Sequence, residues 1–261
     1  MTLLFHEIKR NRLSLIIWTG AIAFMLAVCV VIYPEMSADM NELSDMFADM
    51  GAFSDAFGMD QLNFGEFMGY FGIECGNTLG LGGALFAAIL GIGALAKEEK
   101  DRTAEFLLAH PVSRISIISQ KFAAVVLQLL AMNLAVIALT AVSIAAIGVE
   151  ADAGKLTLLF LMNFILQLEI ASVTFGISAF IRRGGLGIGL GVPLMLYFLN
   201  IISNLSEELE VLKFISPYGY AESSGIVGEG SVAVKYLITG LIFAALGIMA
   251  AYWKYSKKDI S

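Results

Sequence analysis

Residues 97–121 carry five basic and four acidic side chains, and a long apolar block flanks them on either side. A charge at the centre of a bilayer costs roughly 3 kcal/mol. Nine of them cannot sit there unassisted, so this stretch reads as an aqueous loop joining two membrane helices. Composition agrees. Over 261 residues the chain is 58% hydrophobic with a mean hydropathy of +0.82, which describes an integral membrane protein rather than a soluble domain. The expected fold class is all-α integral membrane, one transmembrane domain over residues 1–261 with six transmembrane helices.

The chain divides as follows. Residues 1–12 set Leu3, Leu4, Phe5 and Ile8 against His6, Lys9, Arg10 and Arg12, the pattern of an N-terminal interfacial helix at the membrane lipid surface. Residues 13–33 form the first span, long enough for the ~30 Å hydrocarbon core and read as an uncleaved signal anchor. Residues 34–66 are hydrophilic, with eight acidic residues and no basic one; Met36, Met40, Leu43, Phe47 and Met50 make one apolar helical face. Further spans follow at 67–96, 115–146, 156–181, 186–204 and 232–253, with a kink expected at Pro193 in the fifth. A second excursion at 205–231 holds short helices.

In the second span Gly69, Gly72, Gly76, Gly80 and Gly83 recur at three- and four-residue spacing. Such a stripe admits another helix closely, and Gly72, Gly76 and Gly80 are the candidate packing residues. Two acids lie within spans: Glu74 in the second, and Glu169 in the fourth among Asn163, Gln167, Ser172 and Thr174. Intramembrane acids are candidate functional residues, or else neutral hydrogen-bonding groups, since no span contains a lysine or arginine that matches either one.

The charged loop has internal form. Thr103 suits a helix N-cap, Glu105 the positive end of the dipole, and Pro111 cannot continue the helix. Residues 103–109 are therefore a short helix with an apolar ridge of Phe106, Leu107 and Leu108. The pattern Glu99-x-x-x-Thr103-x-Glu105-x-Leu107-Leu108-x-x-Pro111-Val112-Ser113-Arg114, followed by Lys121, resembles the coupling loop of type-2 ABC transporter permeases, the ABCG-like six-helix class. Arg102 stands where that family commonly has glycine. Ser216-Pro217-Tyr218-Gly219-Tyr220 is similar to the family's Ser-Pro-aromatic element before the last span.

The resemblance implies a permease subunit of an ATP-driven exporter. Glu99, Thr103, Glu105, Phe106, Leu107, Leu108, Pro111 and Arg114 would face the ATPase. It implies partners too: an ABC ATPase subunit in two copies, and a second permease copy or a related permease, forming a dimer with the substrate path at its interface. The short helices of 205–231 would be extracellular and dip into the outer leaflet.

Basic residues number 13 in the N-terminus, the charged loop, the Arg182-Arg183 turn and the tail, against Lys155, Lys213 and Lys235 elsewhere. The positive-inside rule places both termini in the cytoplasm of a multi-pass plasma-membrane protein. No G-x-x-x-x-G-K-[ST] occurs, so ATP and Mg are expected on a separate partner and no cofactor on this chain. No catalytic residues are expected: His6 and His110 fall in cytoplasmic segments, with no Ser-His pairing inside the spans. Cys29 and Cys75 read as buried small apolar groups, the four methionines of 36–50 as an apolar face, and no metal site or nucleic-acid surface is expected. An alternative is an ion-coupled secondary transporter or channel using Glu169 and Glu74 as cation sites, although the paired broken helices of that class are missing.

Overall fold

Six helices in the computed structural model are long and apolar enough to cross a membrane. The structure describes residues 2–48, 51, 54, 56, 62–63, 65–100, 113–181 and 185–257, with the side chains of 2, 38–48, 97–100 and 207 left aside. Among these, all regular structure is helical.

Helix α1 is Thr2–Ala48, a single unbroken helix of 47 residues. At 1.5 Å per residue it is about 70 Å long, more than twice the hydrocarbon core. The sequence suggested three pieces here: an interfacial helix, a span and an amphipathic helix. They are one. Nothing near residue 12 breaks the helix, and a Glu7–Arg10 ion pair of 2.6 Å staples its first turns. Pro34 removes one backbone bond without ending the helix.

Helix α2 runs Phe67–Cys75 as α-helix, Gly76–Leu81 as π-helix and Gly82–Lys100 as α-helix again. Helix α3 is Arg114–Ile147, capped by Ser113, whose hydroxyl accepts from the Ser116 amide. It ends at Gly148 with φ +69°, a left-handed conformation that glycine adopts without a Cβ penalty. Helix α4 is Ala153–Ser178, capped by Asp152. Helix α5 is Leu186–Ser203 and continues through Pro193. Three short elements follow: 3₁₀ turns at Glu207–Phe214 and Pro217–Gly219, and a π-helical turn at Ser224–Glu229. Helix α6 is Val234–Ser256.

The core is built around α4, which packs against α2 on one side and α6 on the other, while α1 lies mainly along α3 and α5 along α2. Contacts at one end of the bundle bring the start of α1, the end of α2, the start of α3 and the end of α6 together. Arg114 Nη1 donates to the Ser256 carbonyl at 3.2 Å, and the Ser119 and Tyr252 hydroxyls lie 2.7 Å apart. Large apolar side chains stay exposed on α1 (Phe24, Leu13), α5 (Phe198, Met195) and α6 (Trp253, Met249), as helices surrounded by lipid or partner helices require.

Candidate functional site

Polar residues on α4 alternate between two faces, and glycines on the neighbouring helices receive them. Asn163, Gln167 and Thr174 recur at four- and seven-residue spacing and face α2. A Cβ on Gly80 would lie 2.9 Å from Asn163 Oδ1, and Cβ atoms on Gly83 and Gly91 would collide with Gln167 and Thr174. The Gln167 Nε2 donates to the Leu79 carbonyl in the π-helical turn at 3.3 Å, while its Oε1 accepts from Asn133 Nδ2 of α3 at 2.6 Å. One amide thus bonds to two helices beside its own.

Higher on the same stripe, Gly72 and Gly76 receive Ser223 from the connector before α6. The Ser223 hydroxyl donates to the Gly72 carbonyl at 2.6 Å, and a Cβ on Gly76 would lie 2.9 Å from that hydroxyl. The neighbours of the glycine stripe are therefore α4 and this connector, both within the chain.

The other face of α4 meets α6. Glu169 is 4% exposed and its Oε2 accepts a 2.8 Å hydrogen bond from the Tyr220 hydroxyl. Gly240 on α6 leaves room for that carboxyl group; a Cβ there would overlap it. One and two turns further along α4, Ser172 and Gly176 present their backbone to Gly247 closely enough that side chains on either glycine would clash. Gly240 lies six residues into α6, or about 9 Å, so the connector carrying Tyr220 reaches well into the bundle. Ser216 anchors that connector by donating to the Leu196 carbonyl at 2.8 Å, and Pro217, Tyr218 and Gly219 are buried.

Glu74 is elsewhere. It is half-buried on α2 and accepts from Cys29 Sγ of α1 at 3.7 Å, so the two intramembrane acids do not share a site. No group of three or more His, Cys, Asp or Glu suited to a metal occurs among the described residues.

Below the connector, a polar cavity of about 70 Å³ is bounded by residues including Asn77, Asn163, Tyr197, Asn200, Asn204 and Tyr218. Tyr197 donates to Asn77 Oδ1 at 3.0 Å. Among the described residues, the side-chain oxygens of Asn163, Asn200, Asn204 and Tyr218 have no hydrogen-bond partner. Such a chamber suits groups that donate hydrogen bonds. Outside the spans, the Tyr236 phenol and then the Lys235 ammonium hold the Glu210 carboxyl below its ordinary value, which pins the Glu207–Phe214 turn to α6.

At the opposite end lies a group absent from the sequence reading. Lys121, taken there as part of the aqueous loop, sits two turns inside α3 and is 1% exposed. Its ammonium donates to Glu7 Oε1 of α1 at 2.7 Å and to the Ala94 carbonyl of α2 at 2.8 Å. Pairing explains why a charge is tolerated where burial alone would exclude it. A cavity of about 70 Å³ adjoins the pair, bounded by Arg10, Gly93 and Gln128 among others. Glu7 was not singled out by the sequence, although it is the only acid among the first 34 residues.

Of the residues expected to face an ATPase, Arg114 is at the start of α3 and bonds to the end of α6. Glu99 lies in the last turn of α2, its side chain not among those described. Thr103, Glu105, Phe106, Leu107, Leu108 and Pro111, and with them the coupling helix of 103–109, lie outside the described residues.

Compared with known proteins, residues 1–260 match the family model described as ABC-2 family transporter protein. No curated protein matches the chain.

Proposed function

The chain belongs to the ABC-2 family of transporter proteins and is a multi-pass membrane protein, and on that footing we propose that it is the permease subunit of an ATP-driven exporter. ATP and Mg bind a separate ATPase subunit, present in two copies, which presses on residues 103–109. Two permease copies, or this chain and a related permease, enclose the substrate path between their first, second and fifth spans, and the substrate leaves outward. The termini, the charged loop and Arg182-Arg183 face the cytoplasm of the plasma membrane, the side that the 13-to-3 basic asymmetry favours.

The single observation that carries this reading is the family match over essentially the whole length. The structure supports it in two ways. Apolar side chains exposed on α1 and α5, among them Ile16, Phe24, Met195 and Phe198, suit a dimer interface or the adjoining lipid. The buried Lys121–Glu7 pair with its bond to Ala94 ties the end of α2, three residues before the charged stretch, to α1 and α3. A push on that loop would reach both helices directly.

In the short helix expected from the sequence, Phe106, Leu107 and Leu108 would form a ridge that is disfavoured in water by up to ~1.5–3 kcal/mol for each fully exposed side chain. The ATPase groove covers it, and Glu98, Glu99, Asp101, Arg102 and Glu105 set orientation at the polar rim. The test is Phe106→Asp with Leu107→Asp. The variant inserts and dimerises, but ATPase subunits no longer co-purify and ATP-driven transport stops. An ATPase that stays bound with transport intact defeats the coupling role of this helix. An ion-coupled mechanism gains no support, because Glu169 sits between α4 and α6 and Glu74 between α1 and α2.

A further inference from the structure

A groove between α3 and α4 stands apart from the polar faces of α4. The two helices form an antiparallel hairpin through residues 148–152, tied together by the Asn133–Gln167 hydrogen bond of 2.6 Å. Between that bond and the turn they leave a cavity of about 390 Å³, open along one side and bounded by Ile137, Ile144, Leu156 and Phe164 among other apolar side chains. Its volume falls in the range of small-molecule sites, roughly 300–1,000 Å³. Leu134 and Leu161 at its lips are 58% and 47% exposed. Both helices cross the membrane, so the medium at those lips is hydrocarbon.

Dimensions narrow the occupant. Asn133 to Ile144 spans eleven residues, about 16 Å along α3. That is about half the ~30 Å hydrocarbon core, the depth of one leaflet. The slot's lining runs from Leu130 and Asn133, beside the Asn133–Gln167 bond, to Ile144 and Ala153 near the hairpin turn. A single lipid chain has this length and chemistry.

Charge at the turn narrows the headgroup. Glu150 is exposed, and Asp152 caps α4 by accepting from the amides of Gly154 and Lys155. Lys155, the one base nearby in sequence, directs its ammonium to the Val227 carbonyl on the connector before α6. Because that carbonyl is neutral, Lys155 keeps its charge, and the hairpin turn beside the slot carries two acids against one base. An anionic headgroup is repelled there, and a primary ammonium is attracted.

We propose that the α3–α4 groove binds one chain of an amine-bearing zwitterionic phospholipid, of the phosphatidylethanolamine class, with its ammonium at Glu150 and its chain end at the Asn133–Gln167 bridge. The site is independent of the ATPase and of the transported substrate. A bound chain replaces the missing contact between the outer halves of the two helices and so stabilises the hairpin.

Native mass spectrometry of the full chain, purified in mild detergent, reads the occupancy. The wild type retains about one phospholipid per chain. Ala141→Trp, which fills the slot, loses at least ten-fold of it. Ala145→Trp, exposed on the same helix but outside the slot, keeps it. Should Ala141→Trp fail to fold, Thr157→Trp fills the slot from the facing wall. In a second arm, delipidated protein is placed in vesicles of phosphatidylcholine with added phosphatidylethanolamine or phosphatidylglycerol. Phosphatidylethanolamine raises the unfolding midpoint of the wild type, and Glu150→Lys transfers that response to phosphatidylglycerol. Equal lipid retention by the slot-filling and control variants overturns the proposal. So does a wild type that responds to phosphatidylglycerol as strongly as to phosphatidylethanolamine. A disulfide joining Ala141→Cys in two copies, formed in the membrane, also overturns it by giving the groove to a second chain.

Discussion

Replacing Lys121 with methionine removes the only charge that α3 buries, and the cost can be worked out from its surroundings. Glu7 is 4% exposed and loses one of its two cationic partners; Arg10, at 2.6 Å, remains. Breaking a buried ion pair from one side costs about 3–5 kcal/mol, since the surviving charge is stranded away from water. With Arg10 still in place the lower end applies, about 3 kcal/mol. At roughly 2–4 °C per kcal/mol for a chain of this size, the unfolding midpoint falls by about 6–12 °C. Glu7→Gln falls by a similar amount, because it removes the carboxylate that accepts from Lys121 at 2.7 Å. Removing both partners, Glu7→Leu with Lys121→Met, takes both buried charges away together and leaves only the partly exposed Arg10 without Glu7, so most of the loss is restored, because a hydrophobic replacement of a buried pair is often neutral. Thermal unfolding of the four proteins in one detergent, analysed as a double-mutant cycle, decides the matter. A single variant within 2 °C of wild type, or a double variant no more stable than the worse single, refutes the energetic coupling of these two residues.

Gly80→Leu and Gly83→Leu push into Asn163 and Gln167 and should abolish a stable fold, whereas Gly93→Leu, with nothing within 4 Å of its Cβ position, should keep it; comparable yields of monodisperse protein for all three contradict the close packing of α2 on α4. Glu169→Gln retains an acceptor for Tyr220 and should fold and transport, while Glu169→Leu loses stability; a Gln variant that folds and does not transport assigns the carboxyl a proton or cation role. Single cysteines at Ser231, Ser113 and Ser256, all exposed, test topology against a background in which Cys29 and Cys75 are buried: an impermeant thiol reagent applied to intact cells should label the first and spare the other two, and the opposite pattern inverts the orientation.

The spans were legible because apolar runs of eighteen residues or more have one physical solution in this chain. The glycine stripe was legible as a stripe, since spacing alone puts Gly72, Gly76 and Gly80 on one face. What occupied it was not. Asn163 and Gln167 on α4 look like scattered polar residues until the α2–α4 pairing sets them opposite those glycines. The same limit hid the partner of Glu169, because Tyr220 is 51 residues away, lies in a connector between spans and is a phenol rather than a cation. Lys121 was misplaced for a related reason. Counting charge against hydrocarbon treats each residue alone, and Glu7 lies 114 residues from it. Ala88 lies off the stripe and is fully buried all the same, because α2 is enclosed on more than its glycine face.

Order of synthesis gives the two polar faces of α4 different histories. Asn133 and the Leu79 carbonyl, the partners of Gln167, are made before α4 and can be met as soon as it leaves the ribosome. Glu169 must wait for Tyr220, 51 residues later, and for Gly240 beyond that. At about 5–20 residues per second the delay is roughly 3–10 s. During that interval α1–α4 and then α5 are made while the Glu169 carboxyl group still lacks Tyr220. Chains stalled or truncated before Tyr220 present an acid without its hydrogen-bond partner, and the arrival of Tyr220 and then Gly240 closes that face of α4.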